Sequence, residues 1–490
     1  MDCFLGVDIG TSSCRVVILL DDLTIAGELR HDYDLECPRP GQAEQDVEEI
    51  TRIVLELIEQ GLSRCRSRGF TVRALGIAAA ICNMVCLDKD GRPLMKAWTW
   101  ADLRSHKQAE YLKATYGRKF YFRTGCPFHP MYWPARLLYI KENLPEVFKN
   151  TRYIVSLKDY IIYRLTGRRV ADLSLASATG LLNIHTLGWD DELLRVLGVA
   201  PEMLWEPVEP TAVIGRLDRG GEGGDGAGPL LVAGASDGAL SNVGCGALAP
   251  GVMALMIGSS GAMRVATAAP LLSSDNATWC YYLGDQLRLT GGSTNNGGNV
   301  LKWFRHNIMD DRLDYQTMST LAATVPPGCE GLFFLPFLAG ERCPHWRSGA
   351  RGVFHGLTLT HTKAHVVRAM MEGVAFQMYS VFTSLQKLVG PPGEIRVGGG
   401  VVQSPVWLGI LADLFDQPLL IPRYNEGSAV GAAILSMRAR YEQKTLADIG
   451  RLVPIERIVE PDEERAQQYR RLYQKYGLLY EILVPDLMGG

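Results

Sequence analysis

The sequence predicts an α/β protein built as two similar halves with a cleft between them, and three observations carry that expectation. The chain has 490 residues, more than a single hydrophobic core usually serves, so two large domains are expected. An internal echo supports this: FLGVDIGTSSCRVVIL, from Phe4, and VMALMIGSSGAMRVAT, from Val252 to Thr267, share an apolar strand, an Ile-Gly-hydroxyl turn and a second strand, about half a chain apart. Finally, apolar strands run into small-residue turns and then helices at Leu230–Gly246 and Ile395–Asp413. In open α/β sheets such strand ends are where clefts form.

Composition narrows the function. Hydrophobic residues make up 47% and charged residues 21%, the balance of a globular chain with a large core. Fifty Lys and Arg stand against 53 Asp and Glu, a net charge of -3, which leaves neither a basic nucleic-acid footprint nor an acidic tail. A small-molecule partner is expected, with no nucleic acid and no membrane. The eleven cysteines contain no CxxC pair and no zinc-spaced cluster, as suits reduced thiols. MDCFLGVDIG lacks a basic n-region, and no apolar run reaches spanning length, so a cytoplasmic location is expected.

In chain order, Phe4–Ile9 and Arg15–Leu20 form a hairpin around Gly10, Thr11, Ser12, Ser13 and Cys14. Its backbone N–H groups and hydroxyls suit phosphate oxygens, and Asp8 just before it could hold a hydrated Mg²⁺; a plain Gly-Thr hairpin would read the same. In the second copy Met256 replaces Asp8, so only the first half would position a metal. Asp46–Arg64 has helical periodicity with acids in its first turn. Val72–Asp88 reads as one buried strand interrupted by Asn83, a satisfied core amide or a substrate contact. In WTWADLR, Asp102 and Arg104 stand among aromatics, which suits a polyol or equally a surface ion pair.

Leu137–Phe148, Lys158–Leu165 and Asp191–Leu197 read as helices, and Gly220–Gly228 as a solvated turn. Asp237 follows an apolar strand ending in Gly-Ala-Ser; it is a cleft carboxylate or an ordinary helix N-cap. Gly291–Gly298 is expected to open a helix over Val300–His306. LFFLPFLAGERCP ends a buried strand with an acid and an Arg, and Lys363–Leu388 is a long helix with a structural Arg368–Glu372 pair. Gly398, Gly399 and Gly400 allow a nucleotide close to backbone, before a helix whose N-terminus favours an anion. Pro461–Leu483 is a charged amphipathic helix that should pack on the second half.

Taken together, VDIGTSSCR, GASDGALSNVGCG, VGGGVVQSPVWLGILAD and GVFHGLTLTHTKAHVVRAMME, in this order, resemble the FGGY carbohydrate kinases over essentially the whole chain. Within that family, RTGCPFHPM, SLKDYIIYRLTG, DLSLASATGLLNIHT, TNNGG and GERCPHW are similar to members acting on gluconate. There are departures. Ile81 and Cys82 stand where relatives carry a Met-His pair, Arg136 replaces a Lys, Tyr139 a Trp, Arg15 a Lys and Ser259 a Thr, and Pro134 is displaced by one.

The resemblance implies two actin-like, ribonuclease H-like ATPase domains, residues 1–247 and 248–490, and ATP and Mg²⁺ as cofactors. It implies Asp237 as general base and, with Asp8, near the metal. Phosphates would lie between the turn of Gly10, Thr11, Ser12, Ser13 and Arg15 and that of Gly258, Ser259 and Ser260, with Gly297 and Gly298 beside them. Adenosine would lie against Gly398–Gly400 and Ser404. The polyol would meet Asn83, Asp102, Arg104 and Asp237, with Arg104 or Lys158 for an aldonate carboxylate. Gluconate is the expected acceptor, with a xylulose-type or other ketose or polyol kinase as the alternative and a non-catalytic ATP-binding sugar sensor behind it. A homodimer is compatible with this.

Overall fold

The computed structural model describes residues 1–217, 228–424, 427–441 and 443–486. The Gly220–Gly228 turn therefore falls, except for Gly228, outside the described residues.

Two sheets organise the chain. The first is made of β1 (Asp2–Ile9), β2 (Ser13–Leu20), β3 (Ile25–Asp32), β4 (Thr71–Ala79), β5 (Val213–Arg216) and β6 (Leu230–Ser236), in the order β5-β6-β4-β1-β2-β3. The second is made of β7 (Val252–Ile257), β8 (Gly261–Thr267), β9 (Trp279–Gly284), β10 (Leu287–Thr294), β11 (Glu394–Gly398), β12 (Leu419–Pro422) and β13 (Ile455–Val459), in the order β9-β10-β8-β7-β11-β12-β13. Each sheet pairs an antiparallel hairpin, β1–β2 or β7–β8, with parallel strands on the other side of its first member. The echo in sequence is thus a repeat in topology. Its turns differ by one residue: Ile9 faces Cys14, five positions on, whereas Ile257 faces Gly261, four positions on.

The helices follow from local signals. In α1 (Val47–Ser67) the Asp46 side chain caps the Glu49 amide, and Ile50, Ile53, Val54, Leu57 and Ile58 form the buried stripe. Then come α2 (His106–Thr124), α3 (Trp133–Asn143), α4 (Leu157–Thr166), α5 (Asp237–Gly244), α6 (Gly298–Asn307), α7 (Lys363–Val389), α8 (Pro405–Phe415), α9 (Gly427–Met437) and α10 (Glu463–Asp486). Asp191–Leu197 is a helix as expected. α10 packs on α8, within the second half.

Three expected elements are revised. The run Val72–Asp88 is not one strand: β4 ends at Ala79, Cys82 turns the chain at φ 62°, and Val85–Leu87 pairs instead with Tyr153–Val155. The helix expected over Leu137–Phe148 is α3 followed by a separate short helix, Pro145–Asn150, because proline cannot donate to a continuing helix. Gly291–Thr294 belong to β10, so the turn into α6 is only Asn295–Gly297.

α5 and α9 cross between the sheets. α9 lies on β1 and β4 as well as on α5, and the approach is close enough to require residues without side chains. A Cβ on Gly6 would fall 1.8 Å from the Ala429 carbonyl oxygen, and one on Gly431 would fall 1.8 Å from that of Leu240. A helix late in the chain is thereby locked against the first strand, and the strand ends around the crossing converge.

Candidate active site

Asp8 sits at the end of β1 and Asp237 at the end of β6, where α5 begins. The cap of α5 is Ser236, whose Oγ accepts from the Ala239 amide at 3.3 Å. Asp237 is therefore the first helical residue rather than the cap. One of its oxygens, Oδ1, accepts from the Gly238 amide at 2.6 Å. Burial raises its carboxyl, opposed by the charge of Arg264, the Gly238 hydrogen bond and the charge of Arg342.

Asp8 is held from the far end of the sequence: Ser428 Oγ, in the first turn of α9, donates to its Oδ2 at 2.6 Å. Its Oδ1 is buried with no partner among the described residues. Burial pushes Asp8 up to about 6, the Ser428 bond and Arg15, its cross-strand neighbour, act downward, and the charge of Asp237 adds to the rise. The two carboxylates thus feel each other across the strand ends.

The Gly10–Ser13 turn is braced from behind. Gly10 N donates to Ser13 O at 2.9 Å, and Trp100 Nε1 donates to Thr11 Oγ1 at 2.9 Å. Gln45 Nε2 reaches the carbonyls of Gly10 and Thr11 at 3.2 and 3.1 Å, while its Oε1 accepts from Asn83 Nδ2 at 3.3 Å. Asn83 is buried and supports the turn through Gln45; its Oδ1 has no partner among the described residues. Ser12 is exposed, and Ser13 and Arg15 are partly so.

The second turn joins a cavity of about 320 Å³ lined by Gly258, Ser259, Gly298, Gly400 and Ser404, with Leu301, Val401 and Trp407 among its apolar walls. Ser404 caps α8 through the Trp407 amide. The remaining glycines shape this site from behind. Gly297 and Gly298 donate to the Ser259 and Gly258 carbonyls at 3.1 and 2.7 Å, and a Cβ on Gly297 would meet the Ser260 oxygen at 2.7 Å. A Cβ on Gly398 would fall 2.7 Å from Met256 Sδ. Gly399, at φ 84°, lies where a Cβ would be 2.6 Å from the Ile257 oxygen. The cavity is mostly apolar and is bordered by the Gly258–Ser259 turn.

On the opposite side a cavity of about 870 Å³ opens between the halves, lined by Arg104, Lys113 and His129 from the first and Trp346, Arg347 and Arg351 from the second. Arg104 projects there, but with Asp102 and Glu44 at 2.7 and 2.5 Å and its guanidinium 4.1 Å from the Trp98 ring centre. Asp102 is fully buried and also accepts from the Ala43 amide at 2.9 Å. Asp102 thus positions Arg104 rather than meeting a sugar hydroxyl, and the pair is no surface ion pair either.

Lys158 is corrected outright as a substrate residue. Its ammonium is fully buried, 2.6 Å from Asp172 Oδ2 and 2.8 Å from the Ala233 oxygen, inside the first half. Arg136 is likewise internal, giving its hydrogen bonds to the carbonyls of Cys82, Trp98, Thr99 and Pro130 and so tying three chain segments together. The Arg368–Glu372 pair is structural as expected, with Tyr469 and the Gly328 amide completing it.

Sequence reasoning gave no site role to Ser428, Gln45, Trp100, Arg264 or Arg342. The two arginines did leave a signal: Arg264 is the one charged residue in AMRVAT, and Arg342 follows Glu341 directly after the apolar run LFFLPFLAG. Burial lowers Arg264's affinity for its proton, with Asp237 acting in the opposite sense.

The family models for the N-terminal and C-terminal domains of the FGGY family of carbohydrate kinases match residues 3–244 and 253–440. A gluconokinase from Bacillus licheniformis is 33% identical over 481 residues, covering 96% of this chain and 93% of that protein. A glycerol kinase from Thermococcus gammatolerans is 29% identical, with 96% and 95% covered. Among solved structures, a gluconate kinase from Lactobacillus acidophilus superimposes with TM-score 0.91 at 31% identity over 98% of both chains. A ligand-bound xylulose kinase from the same organism gives TM-score 0.91 at 31% identity, covering 99% of this chain and 98% of that one.

Proposed function

The chain belongs to the FGGY family of carbohydrate kinases, and from that premise we propose that it transfers the γ-phosphate of ATP to a hydroxyl of gluconate, giving 6-phosphogluconate and ADP. The observation that carries the reading is Asp237: a carboxylate released from capping by Ser236, held by one amide, at the end of β6 and within electrostatic reach of Asp8 and Arg264. Relatives named for gluconate support the choice of acceptor.

In the proposed reaction Asp237 accepts the proton of the acceptor hydroxyl while that oxygen bonds to the γ-phosphorus. The bond from phosphorus to the β–γ bridging oxygen breaks, and ADP leaves with that electron pair. Such transfer asks the protein for position and charge compensation more than for covalent chemistry. The turns at Thr11 and Ser259 are assigned to the phosphates, the cavity at Gly298, Gly400 and Ser404 to adenosine, and the Arg104 side of the cleft to the polyol.

Among the described residues no three His, Cys, Asp or Glu gather as a metal cage. That fits Mg²⁺, which is held by one or two carboxylates together with phosphate oxygens and water. The unpartnered Oδ1 of Asp8 is the natural donor, with Asp237 near it, and the ion would supply charge neutralisation on the phosphates. The halves are taken as 1–247 and 248–490, although α9 of the second lies on the sheet of the first. Among the described residues no helix is long and apolar enough to cross a membrane.

A xylulose-type activity is the second reading, favoured by a xylulose kinase superimposing as well as a gluconate kinase does. ADP release measured with gluconate, xylulose, ribulose and glycerol separates them. Gluconate should give the highest kcat/KM; a higher value for xylulose would replace the proposal with the second reading, and no release with any of them would leave an ATP-binding sensor.

A further inference from the structure

Two guanidinium groups beside Asp237 lack a counter-ion. Arg342 is 7% exposed, and its contacts are weak: Nη2 to the Thr294 oxygen at 3.4 Å, Nη1 to Met131 Sδ at 3.8 Å, and the Trp100 ring centre 5.5 Å from Cζ. Its Nε is buried with no partner among the described residues, as is Nη1 of Arg264. Arg264 lies against the start of α5, where a Cβ on Gly238 would be 3.0 Å from its Nη2. Among the described residues neither group makes an ion pair.

Most other buried cations do not behave this way. Lys158 is neutralised by Asp172, Arg104 by Asp102 and Glu44, and Arg368 by Glu372, while Arg136 and Arg288 donate to carbonyls, Arg288 to that of Gln286 at 2.8 Å although its Nε also has no partner among the described residues. A buried guanidinium without an anion is unfavourable, so a fold that keeps two of them at one place has an incoming negative charge to meet. Asp237 cannot be that permanent partner, since it must take a proton. Arg342 rests on Trp100 and Met131, on the side assigned to the polyol, and its charge is felt by Cys82, His129 and Tyr281 as well as by Asp237. These groups come from both halves, so Arg342 lies where the halves meet.

We propose that Arg342, with Arg264 beside the base, receives the carboxylate of a sugar-acid substrate and sets the preference for an aldonate over a neutral polyol or ketose. This rests on the gluconate reading and deepens it: Arg104 and Lys158 are already neutralised, and these two are not. The planar guanidinium can accept a carboxylate through two parallel hydrogen bonds, which a hydroxymethyl group cannot offer.

The test compares gluconate with glucitol, in which a CH₂OH replaces the carboxylate, at saturating ATP and Mg²⁺. In Arg342→Met and Arg264→Met the ratio of kcat/KM for gluconate over glucitol should fall about 100-fold, mainly through KM for gluconate, with Arg342→Lys recovering part of it. Thermal protection by gluconate should weaken in parallel while protection by ATP persists. Should the methionine variants not fold, Arg342→Gln and Arg264→Gln give the same readout. A ratio within about threefold of wild type overturns the inference whatever happens to kcat. So does a uniform loss on both acceptors with a raised KM for ATP, which would assign the arginines to the phosphates. Failure of the gluconate reading shows separately, as a wild-type enzyme that turns over xylulose but not gluconate; the inference then falls with it.

Discussion

Asp8→Asn should make the unliganded protein more stable while disabling it. Burial lifts the Asp8 carboxyl from 3.8 to about 6, so at neutral pH the folded chain holds an ionised group at a cost the unfolded chain does not bear. The difference corresponds to about 3 kcal/mol. Asparagine has nearly the same shape, keeps an oxygen for Ser428 Oγ, and presents no charge to Asp237. The sign follows from proton binding. Between 3.8 and about 6 the folded state binds the proton that the unfolded state releases, so wild-type stability falls as pH rises through this window. The gain from Asn should be full above pH 6 or so and vanish as pH falls toward the unfolded value. With the halves interlocked through α9, the midpoint should rise by about 3–6 °C at pH 7.5. Differential scanning calorimetry of both proteins from pH 4 to 8, without nucleotide, is the assay. Adding ATP and Mg²⁺ should then reverse the order, since only wild type retains the carboxylate for the metal. A variant less stable than wild type at pH 7.5, or a difference that does not change with pH, would refute the argument that Asp8 is a strained site carboxylate.

Further expectations concern the base, the nucleotide turn and the reassigned lysine. Asp237→Asn should lower kcat by about 100- to 10,000-fold with ATP binding, followed by calorimetric titration, nearly intact; near-normal turnover removes Asp237 from the role. Because burial raises Asp237 and the ionised form is the base, log kcat should drop as pH falls through a midpoint above the ordinary carboxylate range, and a profile flat down to pH 4 or so would contradict this. Gly399→Ala forces a Cβ to within 2.6 Å of the Ile257 oxygen at φ 84°; a cost of about 1–3 kcal/mol and a raised KM for ATP are expected, with KM for the sugar unmoved. Lys158→Met strands the Asp172 carboxylate and should destabilise by about 3–5 kcal/mol in urea unfolding, with Asp172→Leu added to it restoring much of the loss. An altered sugar KM in the folded double variant would return Lys158 to the binding site.

Much of the site was legible because it is local. A hairpin needs only two apolar runs and a hydroxyl-bearing turn, so Gly10–Ser13 and Gly258–Ser260 could be placed without tertiary knowledge. The glycine turn after β11 and the position of Asp237 after β6 were readable for the same reason. Where the reading slipped, backbone geometry intervened: the positive φ of Cys82 divides what looks like one strand, and Pro145 divides what looks like one helix.

By itself, then, the sequence determined the doubled α/β plan, the order of its hydroxyl- and glycine-rich turns and the carboxylate between them, since each is written within a few neighbouring residues. Tertiary structure alone decided which charges are available for chemistry. Lys158 and Asp102 looked like ligands and are consumed inside the fold, whereas Arg264 and Arg342 were given no site role and, among the described residues, make no ion pair beside Asp237. Asp8 meets Ser428 across 420 positions of chain, and Gly6 meets Ala429 only because α9 crosses back onto the first sheet. A side chain's charge is a local property, but its burial and its counter-ion are set by residues distant in sequence, and these determine whether it stabilises the fold or meets a substrate.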